Sequence, residues 1–340
     1  MEFVFPFDSI HLTNEVNTIP NMYGLMQSLN LFPAEPIGST SVLVLFSNDT
    51  IRVLPEKARG DAGTPDQTGS NKGVTLQIPH FPGKHNLGPG DIQNKATVVD
   101  GRPVPMTVAS ATAKKLMLIR KYHAITREYL RINALKGIVK DGDGNTIVDF
   151  YQLFGIAPQQ VDLALGTAGT NIIDKVEEIY DLVHDGVVGD TVSGVEVVIG
   201  STLFSKFVQH GKVEKYWLNY QAAQGLANMQ RHGQGDDYGR TFEFGNVLFR
   251  EYKGKVPVKA GMEQLVDKVK GHAYPTGTSE TFTTYDGPPH HMDKVNQPGE
   301  EIFISEKILD HGEGIEFKSQ ANARPVCKRP KALVEVISSN

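Results

Sequence analysis

The chain has 340 residues, with 39% hydrophobic and 21% charged side chains, so it can bury a sizeable core and two domains are expected. Thirty-four Lys and Arg against 39 Asp and Glu leave a net charge of −5, the wrong sign for a dedicated nucleic-acid binder. A lone cysteine, Cys327, excludes an intrachain disulfide framework and a multi-cysteine zinc site. Met1 to Asp8 lacks the basic and apolar regions of a signal peptide, and no apolar run is long enough to span a membrane.

Residues 1–40 read as an arm. Phe3, Phe5 and Phe7 alternate around Pro6, and Asn21 to Asn30 suggests a short helix stopped by Pro33 and Pro36. The arm holds too little apolar content to bury itself and must lie on something else. Ser41 to Leu54 predicts two strands with a turn at Asn48-Asp49, and Val74 to Ile78 a third. Between them, Glu56 to Gly73 is glycine-rich and polar and cannot build a core. Strand arms around such a tip predict a projecting hairpin, which is marginal alone and needs a neighbour. His80 to Pro105 reads as irregular.

Met106 to Lys136 contains neither proline nor glycine and stops at Gly137, so it predicts a long helix capped by Thr107 or Ser110. Leu118, Tyr122, Ile125, Tyr129 and Ile132 form the expected buried stripe, with Lys114, Lys115, Arg120, Lys121, Arg127 and Arg131 mostly in water. A hairpin follows: Ile138 to Lys140, a turn at Asp141 to Asn145, then Thr146 to Phe150. Further helices are expected over Asn171 to His184, from Ser201 to Val208, over Lys212 to Met229, and briefly at Glu263 to Lys270. Strands are expected at Val195 to Ile199, within Thr241 to Tyr252, and at Lys331 to Ile337. Thr278 to Asn296 reads as loop, and Glu301 to Leu309 fits neither pattern well.

Candidate chemistry is sparse. Asp141 to Thr146 resembles a calcium loop, but Thr146 and Gln152 stand where such a loop needs Gly and Glu, so a hairpin turn is the better reading. Gly166 to Asn171 lacks the Lys-Ser/Thr ending of a phosphate loop, and Thr170 or Asn171 as a helix cap explains it. His290 and His291, near Asp286 and Asp293, are the best metal candidates, though adjacent histidines diverge and a solvated loop is the simpler account. Basic neighbours could activate Cys327, but no histidine partner accompanies it, and packing is the commoner fate of such a residue. Trp217 is expected in the core. No nucleophile elbow, metalloprotease helix or dinucleotide fingerprint is present. No catalytic residue, metal or cofactor is expected.

The order arm, glycine-tipped hairpin, long helix, hairpin, α/β region and final strand resembles the lambda E-type major capsid family of tailed bacteriophages. Three blocks carry the resemblance: Arg52-Val53-Leu54-Pro55 running into Arg59-Gly60; Tyr285-Asp286-Gly287-Pro288-Pro289 continuing to Val295-Asn296; and Asn322 to Pro330 before Leu333 to Val336, the most specific of the three. The resemblance implies an α+β chain with the Hong Kong 97-type phage capsid fold. Its parts would be an N-terminal arm over 1–39, an E-loop region over 40–91, a peripheral domain over 92–152 with spine helix 106–136, an α/β axial domain over 153–309, and a C-terminal return over 310–340. It implies a virion shell protein without catalysis, built from pentamers and hexamers into an icosahedral head around double-stranded DNA, and assembled in the host bacterial cytoplasm. Contacts between copies would fall at Phe3, Phe5 and Phe7 of the arm and Arg59, Gly60 and Lys72 of the hairpin. Scaffold, portal and decoration proteins are the expected partners, DNA would be held without sequence specificity, and no membrane is involved. The rival readings are an encapsulin-like cellular shell, a metal-dependent hydrolase using His290, His291 and Asp293, and a tail or adhesion component.

Overall fold

The computed structural model describes residues 5–19, 24–46, 72–99, 101–167, 169–216, 218–219 and 239–339. Two compact units emerge, each assembled from separated stretches of chain: residues 1–42, 77–130 and 284–325 form one, and residues 43–76, 131–283 and 326–340 the other.

In the first unit the helix Ser9–Thr18 is capped by Asp8, whose carboxylate accepts from the His11 backbone at 2.7 Å. This helix was not evident in the sequence, because Thr and Asn are weak helix formers. Tertiary packing holds it instead: Leu12 and Val16, one turn apart, are fully buried. They join Leu116, Ile119, Ile302, Ile304, Ile315 and Phe317 in one core. The facing sheet orders the strands Phe303–Ile308, Ile315–Ala321 and Phe81–Leu87, all antiparallel. Phe81–Leu87 corrects the irregular reading of that stretch. Pro82 and Gly83 obscured it, yet its outward positions pair at an edge strand, where such residues are tolerated. A second sheet joins Ala34–Pro36, Phe282–Asp286 and Ala323–Cys327. The last two strands are buried at every position, which removes the alternation that marks a half-exposed strand and explains why residues 282–286 read as loop.

The long helix spans Val108–Leu135, about 42 Å. Thr107 and Ser110 cap it reciprocally, each hydroxyl accepting from the other's backbone N–H, at 3.2 and 2.9 Å. Its buried line is Leu116, Ile119, His123, Arg127 and Leu130. The expected stripe holds only toward the C-terminal end, where Tyr129 and Ile132 are buried; Leu118 is 42% and Tyr122 54% exposed, while Arg120, Arg127 and Arg131, expected in water, are buried. Hydrophobicity misplaced the face because carboxylates elsewhere in the chain offset the burial of Arg120 and Arg127.

Gly137 ends this run at φ +84°, and its carbonyl accepts from the Phe150 N–H at 2.9 Å. A Cβ there would lie 2.2 Å from the Tyr151 ring. Gly137→Ala is expected to cost about 3 kcal/mol from left-handed strain plus overpacking. Urea unfolding of the unassembled subunit measures this. Adding Tyr151→Leu should recover the packing part, and a Gly137→Ala protein as stable as wild type would refute the argument.

The second unit is built on a six-stranded mixed sheet in the order Thr241–Phe244, Val247–Glu251, Gly194–Ile199, Lys270–Thr276, Val334–Ile337, Gln159–Asp162. The helices Ile172–Gly186 and Ser201–Gln209 bury Ile172, Val176, Ile179, Val183, Leu203, Phe204 and Phe207 in the core that this sheet lines with Val195, Val197, Ile199 and Phe249. Both helices and the strand between them match the sequence periodicity. Residues 211–216 and 218–219 are helical; Trp217 and residues 220–229 of the expected helix lie outside the described residues. The expected helix at Glu263 to Lys270 is absent. Gly261–Gln264 pairs with Lys255–Val258 as a hairpin, and Lys270 opens a central strand.

Candidate assembly surfaces and the buried motif core

The residues expected to meet neighbouring copies are placed as follows. Phe3, Arg59 and Gly60 lie outside the described residues, and Lys72 opens the strand Lys72–Gln77. That strand pairs with Ser41–Phe46 in an isolated two-stranded sheet, so the base of the expected hairpin is present. Phe5 and Phe7 are half-buried. Phe5 contacts Phe7 edge-on at 5.4 Å and Phe317 at 5.9 Å, and Phe7 stacks on His11 at 5.3 Å. The arm thus finds cover within its own chain, which the sequence did not foretell. Polar contacts fasten it too: Thr13 Oγ1 accepts from the Ile304 N–H at 3.0 Å, Asn17 Nδ2 donates to the Ile302 carbonyl at 2.9 Å, and Ser9 donates to Glu306 at 2.5 Å.

Two of the three sequence blocks meet in the first unit. Asn322 Nδ2 donates to the Pro288 carbonyl at 2.6 Å, and the Gly287 N–H to the Asn322 carbonyl at 2.9 Å. The Asn322 amide oxygen faces His80 Nδ1 at 2.8 Å. Asp286, 3% exposed, receives both terminal nitrogens of Arg127 at 2.9 and 2.8 Å. Burial works against the Arg127 charge, but Asp286 and then Glu301 hold its pKa above the ordinary value. Arg120 reaches Glu301 at 3.0 Å. Sequence reasoning missed this cluster by placing Arg127 in water and Asp286 near a metal. A signal was available: Arg120, His123, Arg127 and Arg131 recur at helical spacing, a second and polar stripe.

Beside the cluster, Ser319 Oγ lies 2.8 Å from His123 Nε2 and 3.1 Å from His85 Nε2. Burial first, then the neighbouring His85 and Arg120 charges, pull His123 down to about 4. One hydroxyl between two imidazoles can donate to one ring and accept from the other, which requires at least one ring nitrogen to remain unprotonated.

The sequence's chemical candidates do not converge. Asp286 is committed to Arg127. His290 is held through its backbone by Gln320 at 2.8 Å, and its ring lies edge-on to His80. His291 Nδ1 accepts from the Asp293 N–H at 3.4 Å, as a local cap. Among the described residues no group of three metal-ligating side chains forms. Cys327 is fully buried, and burial outweighs its Arg329 neighbour and pushes the thiol up to about 12, the reverse of activation. Asp141 accepts from the Asp143 and Asn145 backbones at 2.9 and 2.8 Å, as a hairpin turn requires. Asn171 occupies the N-cap position of the helix Ile172–Gly186 without a side-chain hydrogen bond to the helix backbone, and its amide donates to the Asp174 carboxylate at 2.6 Å. What the surface offers is apolar side chains at protruding places: Val98 and Val104 on the hairpin of residues 96–105, Met117, Leu118 and Tyr122 on the long helix, and Met262 on another hairpin.

The sequence model of the phage major capsid protein E family matches residues 8–338. The chain belongs to the phage major capsid protein E family. It is 30% identical over 351 residues to the major capsid protein of Salmonella phage Felix O1, covering 96% of this chain and 94% of that protein. It is 29% identical over 343 residues to the major capsid protein of Pseudomonas phage KPP10, covering 97% and 96%. Among solved structures, the putative capsid protein of a prophage of E. coli CFT073 superposes with a TM-score of 0.65 at 12% identity, covering 99% of this chain and 100% of that one. The fold is therefore the Hong Kong 97-type capsid fold, an α+β architecture, and this capsid chain is a structural component of a phage virion. Neither the hydrolase nor the encapsulin-like alternative is favoured by these matches. No helix among the described residues is long and apolar enough to cross a membrane.

Proposed function

We propose that this chain forms the shell of an icosahedral phage head, as pentamers and hexamers that enclose double-stranded DNA without sequence specificity. Membership of the capsid family over nearly the whole chain carries this reading. Assembly would take place in the host bacterial cytoplasm with scaffold, portal and decoration proteins as partners, and the chain itself performs no catalysis.

Within the shell, residues 1–39 act as the arm, 40–91 as the E-loop region, 92–152 as the peripheral domain on its spine helix, 153–309 as the axial domain and 310–340 as the return. The paired strands Ser41–Phe46 and Lys72–Gln77 support the hairpin role, because a two-stranded ribbon gains stability when it lies on a neighbour. Phe3, Phe5, Phe7, Arg59, Gly60 and Lys72 are the proposed contacts between copies. Each contact can be modest, since many identical ones act together in a closed shell. The excess of acidic residues fits a container that must release its DNA.

Negative-stain microscopy of the chain coexpressed with its neighbouring genes tests the proposal: closed icosahedral particles are expected, and uniformly small particles that bind stoichiometric metal would defeat it. Deleting Arg59 to Lys72 should leave a folded subunit with an unchanged unfolding midpoint and reduce shell yield at least tenfold. Normal shells from that deletion would remove the hairpin from the assembly mechanism.

A further inference from the structure

Two histidines from distant parts of the chain meet in the first unit. The rings of His80 and His290 lie with centroids 6.4 Å apart and planes at 70°. Both residues are exposed. Asn322 fixes which nitrogen of His80 is free. Its amide nitrogen donates to the Pro288 carbonyl at 2.6 Å, so its oxygen is the atom turned toward His80 Nδ1 at 2.8 Å. An amide oxygen only accepts, so Nδ1 carries the proton, and Nε2 of the neutral ring keeps its lone pair. That is the arrangement of a metal-binding histidine, whose other ring N–H is held by an oxygen acceptor. His290 is placed through its backbone. It follows Pro288 and Pro289, and its N–H donates to Gln320 Oε1 at 2.8 Å. Its ring makes no hydrogen bond among the described residues, and its one ring contact is with His80. A Cβ on Gly287 would lie 3.0 Å from the Ile78 side chain, so the segment bearing His80 and the turn bearing His290 pack directly.

Imidazole nitrogens are ligands for zinc, nickel and copper ions. With metal–nitrogen bonds of about 2.0–2.1 Å, one ion joins rings whose centroids lie up to about 6.5 Å apart. The observed 6.4 Å fits within that span at a nearly linear angle, and a torsional change of the exposed His290 side chain closes the angle toward tetrahedral. We propose that His80 Nε2 and a ring nitrogen of His290 together bind one divalent transition-metal ion of the zinc class, with water in its remaining positions. His291 takes no part, because its Nδ1 accepts from the Asp293 N–H. The site stands on this geometry and does not depend on the shell reading, whereas its consequence does. The Ile78 N–H donates to the Thr40 carbonyl at 2.9 Å, which closes the root of the ribbon Ser41–Phe46 and Lys72–Gln77, and His80 follows two residues later. A bound ion ties that root to the turn of residues 288–291 and stiffens the base from which the proposed hairpin reaches a neighbour.

Calorimetric titration of the unassembled full-length subunit with zinc chloride tests the site. A single ion per chain with a micromolar dissociation constant is expected. His290→Gln should weaken binding at least tenfold and leave the metal-free unfolding midpoint unchanged, because its exposed ring has no hydrogen bond to lose. His80→Gln should weaken binding equally, and His291→Gln should change it less than twofold. With copper(II) as the probe, electron spin echo spectra should show two coordinated imidazoles in the wild type and one in His290→Gln. Zinc binding no tighter than millimolar, or binding unaltered by His290→Gln, overturns the site and leaves the shell reading standing. A two-imidazole copper spectrum that persists in His290→Gln overturns it as well.

Discussion

Arg127→Ala is expected to destabilise the unassembled subunit by about 3–5 kcal/mol, the cost of leaving a buried carboxylate without its counter-ion. Asp286 is 3% exposed and takes two charge-assisted hydrogen bonds from Arg127, at 2.9 and 2.8 Å. Glu301 reaches the same guanidinium only at 4.0 Å and is itself shared with Arg120. Removing the arginine therefore strands Asp286, whose carboxylate must then be buried as an anion or protonated. The double replacement Arg127→Met with Asp286→Leu should recover most of the loss, because apolar pairs of similar volume often substitute for buried ion pairs with little penalty. Urea unfolding of wild type, both single variants and the double variant measures the coupling. A double variant as unstable as Arg127→Ala would mean that packing, rather than charge, dominates at this position.

Acid should weaken the protein well above the range in which carboxylates titrate. His123 has its pKa lowered from 6.5 to about 4, by burial first and then by His85 and Arg120. In the second unit, burial followed by Lys136 and Lys270 lowers His272 from 6.5 to about 3. For a histidine depressed in the folded state, the unfolded chain takes up protons that the folded chain refuses. The stability contribution is thus unaffected above pH 6.5 and is lost progressively as pH falls from 6.5 toward 4. For His123 the loss by pH 4 amounts to about 3 kcal/mol, and His272 acts in the same direction. Urea midpoints between pH 8 and pH 4.5 should be flat at first and then fall, and His123→Gln should flatten the falling limb. A wild-type midpoint that holds steady from pH 7 to pH 5 would show that His123 accepts its proton in place.

The Ser319 hydroxyl gives this sensitivity a structural meaning. It sits between His85 and His123, which come from the edge strand Phe81–Leu87 and the long helix. With both rings protonated at Nε2, each would donate toward the same oxygen, and the hydroxyl would lose its acceptor. Acid would therefore loosen the helix from the sheet at one point inside the first unit.

By itself the sequence determined the elements whose physics is local. The helix Ile172–Gly186 and its buried residues Ile172, Val176, Ile179 and Val183 follow from one apolar stripe at helical spacing. The hairpin of residues 138–149, the termination of the long helix at Gly137, and the order of parts that carries the family likeness were legible for the same reason. Tertiary structure alone decided which face of the long helix is buried. Nothing local distinguishes an arginine in water from Arg127 facing Asp286, which lies 159 residues further along the chain. The fully buried strands Phe282–Asp286 and Ala323–Cys327, the edge strand Phe81–Leu87 and the arm helix were hidden likewise. Their stability comes from partners distant in sequence, and burial on both faces or weak local propensity leaves no periodic trace. The pair His80 and His290 belongs with them, since its two rings come from distant parts of the chain and meet only when the chain is folded.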